Sequence, residues 1–300
     1  MNTNFNSAPT PYDELNGVLG KMCSELQSCL ADLVHGIYLQ GSFALGDFDE
    51  HSDVDFIVAI RCKLNEAKVS EINDIHNDLF HLGPEWAKHL EGSYIPVDVL
   101  ASMKRRKEKV WYLDHGSTML ERSNHCNTAI VRWVLRNRGI ALVGSELKSL
   151  IPPIPNCDLK REIYETMHTW GMEILAKPAG YANRFYQSFI VLNYCRMLHD
   201  LVRGFPGSKK EGAKWAEQVL DPAYKRLIKE AWSGRPDPAA KVRQQADSKA
   251  YEKTLEFLQY VLLKSNELDS LGWFNKLFEK NVKNYWPEKN LWYITRLHSE

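Results

Sequence analysis

The chain has 300 residues, and its 38 Lys and Arg balance 38 Asp and Glu. With 44% hydrophobic and 25% charged residues it has a globular composition, not a disordered one. Zero formal charge argues against binding nucleic acid or an anionic membrane through bulk charge. At roughly 100–200 residues per domain, the length predicts about two domains. The first twelve residues are polar, without the apolar stretch of a signal peptide, and no apolar run reaches the ~20 residues of a bilayer span. Cys23, Cys29, Cys62, Cys126, Cys157 and Cys195 form no CxxC pair. They read as reduced thiols of a cytoplasmic protein, which sets aside a disulfide scaffold and a zinc ribbon.

In chain order, Leu15, Val18, Leu19, Met22, Leu26, Leu30 and Leu33 keep helical period. They predict an amphipathic helix over residues 12–34, with Gly36 as its stop. Residues 37–40 read as a first strand and residues 54–60 as a second. A helix over 64–82 and a third strand over 93–100 follow, with Pro96 marking an edge or a bulge. From Thr128 onward the pattern is helical. The run Ile151-Pro152-Pro153-Ile154-Pro155 is the strongest punctuation in the chain. Helices are expected near 159–175, 181–202, 211–220, 223–232 and 249–264. The expected class is α+β, with a mixed-sheet N-terminal domain (residues 1–150) followed by an all-α helical bundle (residues 151–300). Within the latter, a tail from about residue 268 carries Trp273, Trp286 and Trp292.

The chemistry is concentrated between Gly41 and Asp55. Gly41-Ser42 leaves a strand and opens a turn onto a short helix. A glycine there lets the backbone approach a phosphate, whose oxygens the amides and the Ser42 hydroxyl can bind. Asp53 and Asp55 stand two apart at the start of an apolar strand, so both carboxylates share one face while Val54 and Phe56 face the core. Paired carboxylates are hard ligands suited to Mg²⁺, which takes carboxylates together with substrate phosphates. Phosphate-binding turn and metal-binding strand end side by side form the layout of two-metal nucleotidyl transfer. Asp47, Asp49 and Glu50 lie in the intervening loop and read as solvated.

This segment resembles the signature of the nucleotidyltransferase superfamily with the DNA-polymerase-β-like fold. Further matches are Leu90-Glu91-Gly92-Ser93, Gly139–Gly144, Val191–Leu198 and Ser208–Trp215. Together they resemble the aminoglycoside 3''/9-adenylyltransferases, over about residues 37–263. The resemblance implies that Asp53 and Asp55 hold Mg²⁺. Glu91 matches the third carboxylate, as metal ligand and as general base toward an acceptor hydroxyl that attacks the α-phosphorus of ATP. Gly41 and Ser42 match the triphosphate-binding turn, and Arg196 and Lys209 match basic residues that reach the nucleotide phosphates. Asp98, read on the same strand as Glu91, competes with it as the third carboxylate, and Arg196 competes as an ion-pair partner of Asp200.

The implied reaction transfers AMP from ATP to a hydroxyl of a small, aminoglycoside-like acceptor and releases pyrophosphate. The expected partners are ATP and that acceptor, with two Mg²⁺ ions; nucleic acid and membrane are not expected. The alternatives are modification of a macromolecule (tRNA or a protein side chain) and a non-catalytic nucleotide-binding or antitoxin-like module. The chain departs from the resistance enzymes over residues 178–188. That stretch has no Asp or Glu and carries Arg184, so the acidic pocket for a polycationic drug is not evident there. Tyr181, Phe185 and Tyr186 could line an aromatic pocket or belong to the core. The basic run from Lys104 to Lys109 reads as a surface loop.

Overall fold

The computed structural model describes residues 6–50, 52–235 and 243–268. They divide into two units that part between Pro155 and Asn156. The first unit runs α1 (Asp13–Leu30), β1 (Val34–Leu39), α2 (Gly41–Leu45), β2 (Val54–Ile60), α3 (Glu66–Phe80), β3 (Leu90–Pro96), α4 (Val97–Leu100), β4 (Val110–Leu113), β5 (Leu120–Ser123), α5 (Ala129–Arg138) and β6 (Ile140–Val143). The strands make one sheet in the order β5-β4-β3-β2-β1-β6. β2 and β3 are parallel, and every other neighbouring pair is antiparallel.

Alternation along β2 orients the sheet. Val54, Phe56, Val58 and Ile60 share a core with Leu15, Leu19, Met22 and Leu26 of α1 and Ile72 and Leu79 of α3. Burying each such side chain contributes about 1.5–3 kcal/mol. This is the apolar stripe that the helical spacing predicts. Asp55 takes the odd parity and falls on the opposite face of the sheet. Beyond β1, the strand end is closed by Gln40, whose side chain caps α2 by accepting a bond from the Gly41 amide.

Several expectations are corrected here. The first helix stops at Leu30, and a single 3₁₀ turn (Ala31–Leu33) joins it to β1. Gly36 lies inside β1, where the pairing with β2 shifts register, and a side chain there would strike the Tyr38 ring. The third strand spans Leu90–Pro96, not 93–100, and Val97–Leu100 form the short α4. Pro96 ends this interior strand, where its missing N–H costs no ladder bond. Asp98 therefore does not share a strand with Glu91: about 16 Å of strand, at ~3.3 Å per residue, separates Glu91 from Pro96. Asp98 instead pairs with Arg105 at 2.6 Å. The pattern after Thr128 is not all helical either, because Ile140–Val143 is the edge strand β6 paired to β1.

Among the described residues, the second unit is helical: α6 (Asn156–Ala176), α7 (Arg184–Arg203), α8 (Lys209–Val219), α9 (Lys225–Ser233) and α10 (Ser248–Glu267). Asn183 caps α7, and Ser208 with Glu211 forms a reciprocal capping box on α8. α7 is the central helix, burying Ile190 to Cys195 in one run. α8 packs against it so closely that a Cβ on Gly212 would lie 2.5 Å from the Arg196 Cα. Arg161 pairs with Asp158, and His168 is buried against the Ser265 hydroxyl at 2.9 Å. No helix among the described residues is long and apolar enough to cross a membrane. The tail with Trp273, Trp286 and Trp292 lies outside the described residues.

Candidate active site

Parallel pairing of β2 with β3 puts Asp55 directly beside Glu91. In-register neighbours on adjacent strands point to the same side, so the two carboxylates stand together on the face away from α1 and α3. Asp53, one residue before β2, continues that parity at the strand mouth. Gly41 borders the same place. Its φ is +59°, and a Cβ there would land on Asp55 Oδ2. Gln40 donates from Nε2 to Asp55 Oδ1 at 3.2 Å, and its Oε1 accepts from the Gly41 amide at 2.9 Å. Gly41 and Ser42 thus open α2 against Asp55 itself. Asp55 and Glu91, paired in register beside such a turn, are hard oxygen donors that suit Mg²⁺, with Asp53 at the strand mouth.

Glu91 is held by side chains from the hairpin and the loop that follow. Its side chain is 12% exposed, and His125 Nε2 lies 3.3 Å from Oε1. The Tyr112 hydroxyl stands 2.7 Å from the same oxygen and 2.9 Å from Asp114 Oδ1. Burial works to raise the Glu91 pKa, but hydrogen bonds from His125 and Tyr112 and the charges of His125 and His115 prevail and lower it. The bond to Glu91 raises the His125 pKa, against burial and with help from the charges of Glu91, Asp55 and Asp114. Glu91 is therefore ionised at neutral pH, with its hydrogen-bond partners already in place.

Asp53 meets a different group. His115 Nε2 lies 3.4 Å from Asp53 Oδ1, and His89 Nδ1 lies 3.0 Å from His115 Nε2. Burial lowers the His89 pKa, and the neighbouring charge of His115 adds to this.

Sequence reasoning missed β4 and β5 and, with them, Tyr112, Asp114, His115 and His125. The signal was Val110-Trp111-Tyr112-Leu113, a short β-prone run, followed by the turn former Asp114-His115-Gly116. Asp49 is engaged with Ser52 through its backbone amide at 2.9 Å and its carboxylate at 3.3 Å, so it stabilises the loop.

In the second unit, Lys209 Nζ sits 5.0 Å from the Phe189 ring centroid, and Arg196 donates to Asn193 Oδ1 at 2.9 Å. Tyr181, Phe185, Tyr186 and Phe189 form one aromatic cluster. The Tyr181 hydroxyl donates to Glu173 Oε1 at 2.8 Å. Glu173 of α6 thus stands beside Tyr181.

Comparison with known proteins finds relatives of both units. Residues 18–113 match the nucleotidyltransferase domain, and residues 149–262 match the aminoglycoside adenylyltransferase C-terminal domain. An aminoglycoside (3'') (9) adenylyltransferase of Shigella flexneri is 24% identical over 260 residues, 83% of this chain and 94% of that protein. One from Klebsiella pneumoniae is 25% identical over the same share of this chain and 92% of its own length. The structure of a spectinomycin adenyltransferase from Enterococcus faecialis, solved with ATP and spectinomycin, superposes with a TM-score of 0.63. It has 15% identity, and the match covers 85% of this chain and 99% of that one. The chain is accordingly a nucleotidyltransferase whose second unit is an aminoglycoside adenylyltransferase C-terminal domain.

Proposed function

We propose that this protein transfers AMP from ATP to a hydroxyl group of a small aminoglycoside-like or aminocyclitol acceptor, releasing pyrophosphate. The observation that carries the reading is the register pairing of Asp55 with Glu91, with Asp53 at the strand mouth and the Gly41-Ser42 turn against Asp55. A nucleotide-binding module without chemistry has no use for Asp55 and Glu91 paired in register beside such a turn.

In this reading Glu91 accepts the proton of the acceptor hydroxyl as that oxygen attacks the α-phosphorus. It is suited to this because it is ionised and held in one orientation by Tyr112 and His125. Gln40 and Gly41 fix the Asp55 carboxylate, and Ser42 contacts the triphosphate. Arg196 and Lys209 bring positive charge to the phosphates, which favours departure of pyrophosphate. Asp53, Asp55 and Glu91 would hold two Mg²⁺ ions, whose charge would offset that of the phosphates and ease loss of the acceptor proton to Glu91.

The experiment is a screen of acceptors with labelled ATP and Mg²⁺, spectinomycin and streptomycin included, read as pyrophosphate release and labelled product. Transfer is expected with at least one aminocyclitol acceptor. Asp53→Asn should abolish it, and Glu91→Gln should cut kcat by roughly 10²–10⁴-fold, with the melting temperature of each variant retained. Transfer by Asp53→Asn at the wild-type rate would show the metal assignment to be wrong. Failure of every acceptor, with Mg²⁺-dependent ATP binding intact, would move the acceptor outside this class.

A further inference from the structure

The carboxylate set accounts for Asp53, Asp55 and Glu91, but not for the two imidazoles gathered at Asp53. His89 ends the 3₁₀ turn Glu85–His89 that leads into β3. His115 sits in the connection between β4 and β5, and Asp53 precedes β2. Three segments far apart in sequence thus converge on one spot at the end of the sheet. The ligand atoms of Asp53, His89 and His115 all lie within 4.8 Å of one another, and all three residues are half-buried. The His89 Nδ1 to His115 Nε2 separation is 3.0 Å, and that from His115 Nε2 to Asp53 Oδ1 is 3.4 Å.

These separations have a metrical meaning. A first-row cation with ligand distances of about 2.0–2.1 Å holds neighbouring ligands about 2.9 Å apart at right angles and about 3.4 Å apart in a tetrahedron. Both observed separations fall in that range. The donor set also has a chemical preference. Two imidazole nitrogens and one carboxylate suit Zn²⁺, Co²⁺, Ni²⁺ or Fe²⁺, whereas Mg²⁺ is hard and takes oxygen ligands. The Trp86 and His89 rings meet at a steep angle, 6.2 Å between centroids, a contact that restrains the orientation of that imidazole.

We propose that Asp53, His89 and His115 form a binding site for a borderline first-row divalent cation such as Zn²⁺, separate in ligand chemistry from the three-carboxylate set. Resting on the adenylyl-transfer reading, the consequence is inhibition. An ion held by the imidazoles engages Asp53 and withdraws it from nucleotide chemistry, because Asp53 is common to both ligand sets. The remaining coordination positions stay open to water or substrate oxygen, as in other sites with two imidazoles and one carboxylate.

The test uses the metal-free full-length protein titrated with Co²⁺ and followed by visible d–d absorption, with Zn²⁺ as competitor. The expected result is saturable binding of one Co²⁺ per chain, displaced by Zn²⁺ and resistant to excess Mg²⁺. His89→Ala and His115→Ala should each weaken Co²⁺ binding by more than the ~10–100-fold typical of losing an outer-shell partner. Asp55→Asn should retain it, since Asp55 belongs only to the carboxylate set. Circular dichroism melts of each variant establish that binding is lost from a folded protein. Absence of a saturable Co²⁺ spectrum would overturn the proposal and leave His89 and His115 as a hydrogen-bonded imidazole pair. So would equal binding by wild type and both histidine variants. In the activity arm, Zn²⁺ should inhibit transfer, with relief by chelator and with loss of inhibition in His115→Ala. Should no acceptor support transfer, the spectroscopic arm still decides the site on its own.

Discussion

At the scale of single residues, Glu91 and His125 define each other. Hydrogen bonding and charge set the folded pKa of Glu91 below its ordinary 4.5 in spite of burial, so its contribution to stability is present above the unfolded value. That contribution is lost as pH falls through the depressed folded pKa. His125 is raised above its ordinary 6.5. Its contribution is complete below the unfolded value and is lost as pH rises through the raised folded pKa. The pair therefore stands in the window between the lowered Glu91 pKa and the raised His125 pKa. The His125 side chain is 65% exposed, so water screens the interaction and its worth is about 0–1 kcal/mol. In metal-free protein, the His125 ring resonance followed by NMR should titrate above 6.5, and Glu91→Gln should move it back toward that value. An unchanged midpoint in Glu91→Gln would mean that some other carboxylate, Asp55 or Asp114, holds the imidazolium.

At the scale of elements, the turn from β1 into α2 decides where Asp55 sits. Gly41 and Gly46 bracket α2 with φ of +59° and +73°. Alanine at either position bears the left-handed penalty of roughly 1–2 kcal/mol. The two differ in what surrounds them. A Cβ at Gly41 lands on the Asp55 carboxylate, while one at Gly46 meets no heavy atom within 4 Å. Gly41→Ala and Gly46→Ala should thus lower the melting temperature to similar degrees, but only Gly41→Ala should lose most of its Mg²⁺-dependent ATP binding and transfer. Equal loss of activity in both would make the defect one of α2 stability, not of Asp55 placement.

The same segment shows what could be read in advance. Val54–Ile60 was legible because six of its seven residues are apolar, a short buried-strand run, and a turn precedes them. Glu91 was legible only through resemblance, since its partnership with Asp55 depends on a parallel pairing that local sequence does not encode. The strands β4, β5 and β6 have only four residues each, too short for periodicity to speak, and their sheet neighbours stabilise them. The histidines they bring to the site were therefore invisible. Asp98 misled for the reverse reason: Val97 and Val99 flanking it read as a strand, whereas the chain turns into α4 after Pro96.

At the scale of the whole molecule, the balance of 38 against 38 is an average over segregated charges. Residues 36–60 contain five acids and no Lys or Arg, whereas the cations assigned to phosphate, Arg196 and Lys209, belong to the second unit. Each has a local structural role that competes with that assignment. Arg196 lies near buried Asp200, whose pKa burial raises and the Arg196 charge opposes. Lys209 rests on the Phe189 ring, a contact worth ~0.5–1 kcal/mol at an exposed site. A charged hydrogen bond to phosphate contributes more, about 1.5–3 kcal/mol, which is about 10- to 150-fold in affinity. Arg196→Ala and Lys209→Ala should each weaken ATP binding by that factor in calorimetry, and Arg196→Lys should recover part of the loss because it restores charge without the guanidinium fork. A purely structural Arg196 gives the opposite pattern, a lowered melting temperature with ATP affinity unchanged. The two measurements on the same variants separate a cation that serves the nucleotide from one that serves Asp200.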